Sequence, residues 1–446
     1  MVGPQDSRIL GPLFGDAELA RLFDDDATVR AMAEVEAALA RAEAEVGVIP
    51  RDAADRITAA AANFVPDLEA LGSGTEESGV PVIDFVRQLR AHVGGDAAQW
   101  LHWGATSQDI VDTALVVRLR DALALLAGRL DGVIADLAGL ADAHRGTVMA
   151  ARTRYQQALP TSFGLKCAGW MLPLLRCRER LPGLRLRLLA VQFGGAAGTL
   201  AALEDDGVAV MEALAAELDL ACPPLPWHTQ RDAVAELGSW LSLVTGALGK
   251  LGQDAVLLAQ TEVGEIDESA GGGRGGSSTM PQKANPVTGE ALVAAARLTA
   301  GLLGTLHQAQ IQEHERGGVG WQMEWATLPT MVVTAGSALA KAAALLGRLS
   351  VSAGRMRANL GPGDGLILAE AASFALAAHM PRPEAQALVR QAVRAVLADG
   401  GHLVDALQAR TTAPLDWERL RDPACYLGAN DALIDRALAA AAGTSG

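Results

Sequence analysis

"QDIVDTALVVRLRDALALLAGRLDGVIADLAGLADAHR", residues 108 to 145, runs for thirty-eight residues without a proline. At 3.6 residues per turn that is roughly ten turns of helix. Its many Ala and Leu residues are strong helix formers. A helix this long buries its apolar stripes fully only among several partners, so the stretch predicts a helical bundle and association with other copies of the chain. The remaining composition agrees. Half the residues are hydrophobic and only 4% are aromatic, and β-branched runs are few and short. These preferences favour helix over a large sheet, so the fold class expected is all-α.

Working outward, 446 residues suffice for two or three domains. Residues 1–108 hold a few helices, notably "DATVRAMAEVEAALARAEAEVG", broken by Pro50, Pro66, "LGSGTEESGVP" and "HVGGD". They form an expected N-terminal helical domain. Residues 109–350 carry the long patterns of a central bundle. Beyond "LGPGDG" (Leu360 to Gly365) the helices shorten, and 351–446 are expected to be a C-terminal helical domain.

A formal charge of −15 speaks against a nucleic-acid partner, because phosphate binding needs a basic surface. No basic segment followed by an apolar core opens the sequence, so a cytoplasmic location is expected. "LGSWLSLVTGALGKLGQDAVLLAQ", from Leu237, is interrupted by Lys250 and Asp254 and reads as a buried bundle helix, with no membrane partner. Cys167, Cys177, Cys222 and Cys425 match no zinc or redox spacing, and the eight histidines include no HExxH. No metal is expected. Yet the unusual segments keep cations, namely Arg152, Arg154, Arg231, Arg274, Lys283 and Arg316, which suits a small anionic ligand.

Four of those segments could carry chemistry. "LHWGATSQDIVDT" sets His102, Thr106 and Ser107 ahead of the long helix, where Thr106 and Asp109 resemble a capping box. The same helix start, with its free N–H groups, could equally receive a carboxylate. "ARTRYQQALPTSF" reads as a solvated interhelical turn or as a polar cluster of Thr153, Arg154, Gln156 and Gln157. "PWHTQRD" leads into a helix with His228 and Arg231. Finally, "GGGRGGSSTMPQKANP", residues 271 to 286, cannot hold a helix or pack a core. Its Gly271, Gly273 and Gly276 fit a dinucleotide fingerprint by degeneracy, but no strand precedes them, so a nucleotide cofactor is not expected. A linker or a closing lid that delivers Ser277 or Ser278 remains.

"GGSSTMPQKANP", in order after "HWGATSQDIVDT" and "TRYQQALP", resembles the signature loop of the fumarase/aspartase superfamily. Within it, "PWHTQRD", "QTEVGEI", "QEHERGGVGWQMEWATLP" and "CYLGAN" are similar to segments of the bacterial cycloisomerases that lactonise 3-carboxy-cis,cis-muconate. The resemblance spans nearly the whole chain. It implies a three-domain all-α fold and a homotetramer in which five long helices per subunit build a twenty-helix bundle, with active sites shared between subunits. It implies a small polycarboxylate substrate and no cofactor.

For individual residues, the resemblance implies that Ser277, with Ser278 as second choice, transfers the proton, supported by Lys283 and by Glu290. Lys283 and Asn285 would hold a substrate carboxylate, Thr106 and Ser107 another, and Thr153 and Gln156 would add polar contacts. His102, His228, Arg231 and Arg316 complete the expected substrate-binding set. Two departures matter. Many superfamily lyases place a histidine, paired with the glutamate matched by Glu290, where Arg154 stands, and many cycloisomerases a histidine where Gln157 stands. A guanidinium gives up no proton near neutral pH, so Arg154 suits a carboxylate leaving group, which needs no protonation, and would clamp a substrate carboxylate. The alternative on the same scaffold is a lyase that releases fumarate from a substituted succinate of the nitrosuccinate or adenylosuccinate type.

Overall fold

The computed structural model describes residues 3–268 and 275–443. It is built of helices: α1 (Asp25–Val46), α2 (Arg51–Ala62), α3 (Val82–Val93), α4 (Ser107–Ala143), α5 (Phe163–Leu188), α6 (Asp232–Leu258), α7 (Val287–Gln308), α8 (Val319–Leu346), α9 (Arg382–Asp399) and α10 (Asn430–Gly443), with shorter helices between them. The all-α expectation holds, and residues 108–145 do form one helix almost throughout. Local signals explain the boundaries. The Asp24 side chain accepts the Ala27 N–H at 2.8 Å to start α1, two acidic residues occupy its first turn, and Gly47 ends it at φ 96°.

Two antiparallel strand pairs interrupt the helices. Strands β1 (Val148–Thr153) and β2 (Gln156–Ser162) form a hairpin, so "ARTRYQQALPTSF" is not an interhelical turn. Val148, Met149 and Ala150 are buried and pair with Ser162, Thr161 and Pro160, which gives this short polar stretch a core side that composition alone did not suggest. Strands β3 (Ile266–Asp267) and β4 (Ser350–Val351) form the second pair.

The contacts divide the chain into two compact units, one of residues 1–129, 177–246 and 295–339, the other of 130–176, 247–294 and 340–446. Each of α4 to α8 contributes residues to both. The first unit has a core in which α1, α2, α3 and the start of α4 enclose Met32, Leu39, Ile57, Phe85, Leu89 and Phe193, all fully or almost fully buried. The second unit holds two smaller cores. One joins the hairpin's Val148 and Ala150 to Leu360, Ile367 and Leu368, and the other packs α9 against its neighbours through Ala385, Val389 and Leu407.

Two features of this packing run against ordinary hydrophobic patterning. Helix α7 is long and apolar enough to cross a membrane, as is α8, yet only 28% of its most apolar window is buried, against 67% for α8. Helix α1 shows the converse: it buries two carboxylates two turns apart, Glu36 and Glu43, 1% and 0% exposed. Neither oxygen of Glu43 has a hydrogen-bond partner among the described residues. Burial, and then the charge of Glu36, push the Glu43 carboxyl up from 4.5 to about 9, so it stays protonated in the fold at neutral pH.

A carboxyl raised on folding stabilises only below its unfolded value, and that contribution is lost as pH rises from 4.5 through about 9. Glu43→Gln, which mimics the neutral acid, should therefore gain stability over the parent by roughly 1 kcal/mol per pH unit across this window. Urea unfolding at pH 5, 6, 7 and 8 checks this; a difference independent of pH would refute it.

Candidate active site

In the first unit the site grows from Asp109, the third residue of α4. Its carboxylate is 1% exposed and accepts at both oxygens. Oδ1 takes His228 Nε2 at 2.8 Å, the Gly194 N–H at 3.0 Å and Gln192 Nε2 at 3.3 Å. Oδ2 takes the Gly195 N–H at 2.9 Å and the Thr106 N–H at 3.0 Å. The last contact is half of the expected capping box. The other half is replaced: Thr106 Oγ1 accepts Arg316 Nη1 at 2.6 Å. Thr106 thus both starts the helix and holds a cation, while Ser107 stands half-buried beside it. Arg316 has no carboxylate partner among the described residues, and its Nε is buried without a bond.

The glycine-rich turn Gly194–Gly198 was not singled out by sequence, although its glycines are the available signal. Gly195 lies at φ 66° and Gly198 at φ 81°, and the Ala196 carbonyl faces Arg316 Nη1 at 3.4 Å. Gly104, at φ 68°, is also obligatory, because a Cβ there would stand 2.8 Å from the Leu203 side chain.

Two residues expected to touch substrate are enclosed instead. His228 is 3% exposed and commits Nε2 to Asp109. Arg231 has a fully buried side chain. Its guanidinium bonds Asp112 at 2.6 and 3.2 Å and Glu324 at 2.9 Å, with a further, shorter contact to Glu324. Trp321 Nε1 donates to Asp112 at 2.9 Å. Burial alone would weaken the guanidinium's hold on its proton, but Asp112 and Glu324 outweigh it and raise that hold further. The physical reason is burial: a guanidinium fully enclosed and shared between two carboxylates is not presented to a ligand. His102, by contrast, keeps 17% of its side chain exposed, and Nδ1 lies 2.6 Å from Glu36 Oε1.

In the second unit the hairpin turns through two residues, Arg154 at φ 50° and Tyr155 at φ 67°. Thr153 pairs with Gln156, so the tip exposes Thr153, Arg154, Tyr155 and Gln156 together. Two left-handed residues without glycine are a costly way to turn a hairpin, roughly 1 kcal/mol each. The stem is fixed behind the tip. Arg152 forms a bidentate pair with buried Glu265 at 2.9 and 2.6 Å, Asn359 Nδ2 donates to Glu265 at 2.8 Å, and Gln157 Nε2 donates to the Asn359 carbonyl at 2.9 Å. Gln157 therefore braces the hairpin. Arg154 has no ion-pair partner among the described residues.

The signature stretch is described from Gly275 onward; Gly271, Gly273 and Arg274 lie outside the described residues. Gly275, at φ 73°, brings its carbonyl to the Asn285 N–H at 2.8 Å, and a Cβ there would come within 2.2 Å of Asn285 O. A bridge between Gly276 and Ala284 closes the turn that carries Ser277, Ser278 and Lys283. Ser277 is half-buried, and its Oγ accepts the Met280 N–H at 3.2 Å. Lys283 and Glu290 are exposed, Glu290 in the first turn of α7. The start of α7 is capped by buried Glu268, which accepts the Thr288 and Gly289 N–H groups at 2.7 and 3.2 Å. Among the described residues no three His, Cys, Asp or Glu side chains are grouped as a metal site.

Comparisons with known proteins identify relatives over nearly the whole chain. Residues 17–301 match the family model described as Lyase, and residues 365–437 match that of the adenylosuccinate lyase C-terminus. The chain is 44% identical to a 3-carboxy-cis,cis-muconate cycloisomerase of Bradyrhizobium diazoefficiens, over 97% of this chain and 98% of that protein. It is 46% identical to one of Pseudomonas aeruginosa, over 97% and 96%. The crystal structure of the 3-carboxy-cis,cis-muconate lactonizing enzyme of Pseudomonas putida superposes with a TM-score of 0.93 at 40% identity, covering 99% of this chain and 100% of the other.

The contrast between enclosed and free arginines is testable. Arg231→Gln leaves two buried carboxylates without a cation and should cost about 3–5 kcal/mol, whereas Arg154→Gln, on an exposed tip, should stay within about 0.5 kcal/mol of the parent. Guanidinium unfolding midpoints of the two variants decide it; equal costs would refute the distinction.

Proposed function

The chain belongs to the fumarase/aspartase superfamily of lyases, and from that premise we propose that it cycloisomerises 3-carboxy-cis,cis-muconate to 4-carboxymuconolactone, a step of the β-ketoadipate route for aromatic acids. The observation that carries the reading is the near-full-length similarity to cycloisomerases of this activity. One substrate carboxylate adds to a double bond conjugated to a second carboxylate. The electron pair moves onto that second carboxylate as an aci-carboxylate, and the carbon α to it then takes a proton. Cations and N–H or O–H donors aimed at the aci-carboxylate are the main catalytic need.

The roles are those that the resemblance to the superfamily implies, and the environments described support them. Ser277 transfers the proton, with Ser278 as the alternative. A serine hydroxyl is a weak acid and base and needs nearby charge, which Lys283 supplies on the same turn. Lys283 and Asn285 hold the carboxylate that becomes the aci-carboxylate, and Glu290 orients this group. Thr106, Ser107 and Arg316 bind a second carboxylate, and Thr153, Arg154 and Gln156 a third. The three cations of this set, Arg154, Lys283 and Arg316, have no carboxylate partner among the described residues, which fits a substrate with three carboxylates. His228 and Arg231 support the scaffold. Arg154 also favours lactone chemistry over release of an amine or hydroxide, since the departing carboxylate of the reverse reaction requires no acid.

The protein works as a homotetramer with active sites shared between subunits. The apolar, largely uncovered α7 supports this, because such a face is costly in water and suits helices of other copies. The division into parts at 1–108, 109–350 and 351–446 belongs to the same proposal, with the middle part forming the shared bundle.

Lactonisation destroys the conjugated diene, so mixing the purified protein with 3-carboxy-cis,cis-muconate should abolish its ultraviolet absorbance. Ser277→Ala should lower kcat by about 10²–10⁴-fold, and Arg154→Ala should lower kcat/KM by roughly 10- to 100-fold. Unchanged absorbance, with fumarate released from a substituted succinate instead, would establish the alternative lyase.

A further inference from the structure

We infer that Glu36, which no motif of the sequence marks, is a positioning residue: its buried carboxylate holds the His102 imidazole through Nδ1 and presents the ring's Nε2 as a hydrogen-bond donor to a substrate carboxylate. The ligand's identity rests on the cycloisomerase reading; the Glu36–His102 arrangement itself does not.

The geometry is asymmetric in a way that purely structural pairs seldom are. Glu36 is 1% exposed, its Oε1 lies 2.6 Å from His102 Nδ1, and its Oε2 has no hydrogen-bond partner among the described residues. Among the described residues His102 is the only ion-pair partner of Glu36, and the adjacent Glu43 is protonated at neutral pH. A buried carboxylate oxygen held by a single partner is best satisfied when that partner donates a proton to it. His102 is held at one nitrogen, while Nε2 has no protein partner among the described residues and the ring remains partly exposed. This is the relation of carboxylate to imidazole that fixes tautomer and orientation for a working histidine.

The backbone is held to the same end. His102 sits at φ 63°, a left-handed conformation that costs a residue with a side chain about 1 kcal/mol or more. Arg90, on α3, fixes the preceding turn by donating to the Leu101 carbonyl at 3.0 Å. His102 stands four residues before Thr106, whose hydroxyl receives Arg316. The charged groups acting on the ring are Glu36 from α1, Asp109 from α4 and Arg90 from α3, while Glu43 of α1 is uncharged at neutral pH. Burial favours the neutral imidazole and so does Arg90, but Glu36, with Asp109, outweighs them and raises the proton's hold.

The test is imidazole ¹⁵N NMR of the full-length protein across pH 5 to 9, with the His102 signal assigned by its disappearance in His102→Asn. His102 is expected to titrate above an ordinary histidine near 6.5, with both nitrogens protonated below that raised midpoint. Glu36→Gln should bring the midpoint back towards the ordinary histidine value, and Glu36→Asp should restore part of the shift. With carboxymuconate as substrate, Glu36→Gln should raise KM about tenfold and move the alkaline limb of the kcat/KM profile down in pH. A His102 that titrates at or below 6.5 in the parent overturns the inference even if Glu36→Gln does not fold, and so does a midpoint indifferent to Glu36. Absence of turnover with an elevated, Glu36-dependent midpoint would sink the substrate assignment and leave the dyad standing.

Discussion

One buried carboxylate, that of Asp109, is the contact on which the first unit's functional surface depends. Five donors from three stretches of chain converge on its two oxygens. Such a group is stable in an apolar setting only when every lone pair is met, so the donors are constrained in position rather than merely adjacent. Thr106 is thereby set as the first residue before α4, the Gly194–Gly195 turn is drawn to the same point, and His228 becomes part of the frame. Three residues further along α4, Asp112 repeats the device with Arg231, Gln108 and Trp321. The half-buried groups Thr106 and Arg316 are held by a polar skeleton beneath them.

The second unit uses the same logic with a different anchor. Buried Glu265 fastens the hairpin stem through Arg152, and buried Glu268 fastens the start of α7. What remains uncommitted at the surface is cationic or hydroxylic: Arg154, Lys283, Ser277 and Thr153. In a protein with a formal charge of −15, the buried carboxylates of Asp109, Asp112, Glu265 and Glu324 are paired, while Arg154, Lys283 and Arg316 have no counterion among the described residues. That separation favours an anion as ligand without any metal being invoked.

Much of this was legible in the sequence, and unevenly. The helix at 107–143 follows from composition and length, and the Thr106–Asp109 spacing discloses the cap. The loop chemistry is visible because glycine and proline leave few other conformations between Gly275 and Pro286. The hairpin was hidden, because "ARTRYQQALPTSF" has neither a glycine turn nor clear alternation, and its register comes from packing onto Leu360 and Leu368. Burial of Arg231 was equally hidden, since an arginine beside a histidine in a polar heptapeptide reads as surface. Glu36 lies in an Ala- and Glu-rich helix where any glutamate looks solvated, and only the path of residue 102 brings a partner to it.

The way the two units are threaded has a bearing on biosynthesis. Neither is continuous: the first is completed only when residue 339 has been made, and the second only at the end of the chain. His228 emerges 119 residues after the Asp109 it must reach, and Arg316 emerges 210 residues after Thr106. At roughly 5–20 residues per second, the Asp109 carboxylate and its apolar surroundings wait on the order of ten seconds on the ribosome before their last partner exists. A nascent chain with that interval built in is a natural client for holding chaperones, and its yield should respond to translation speed more than its final stability would suggest.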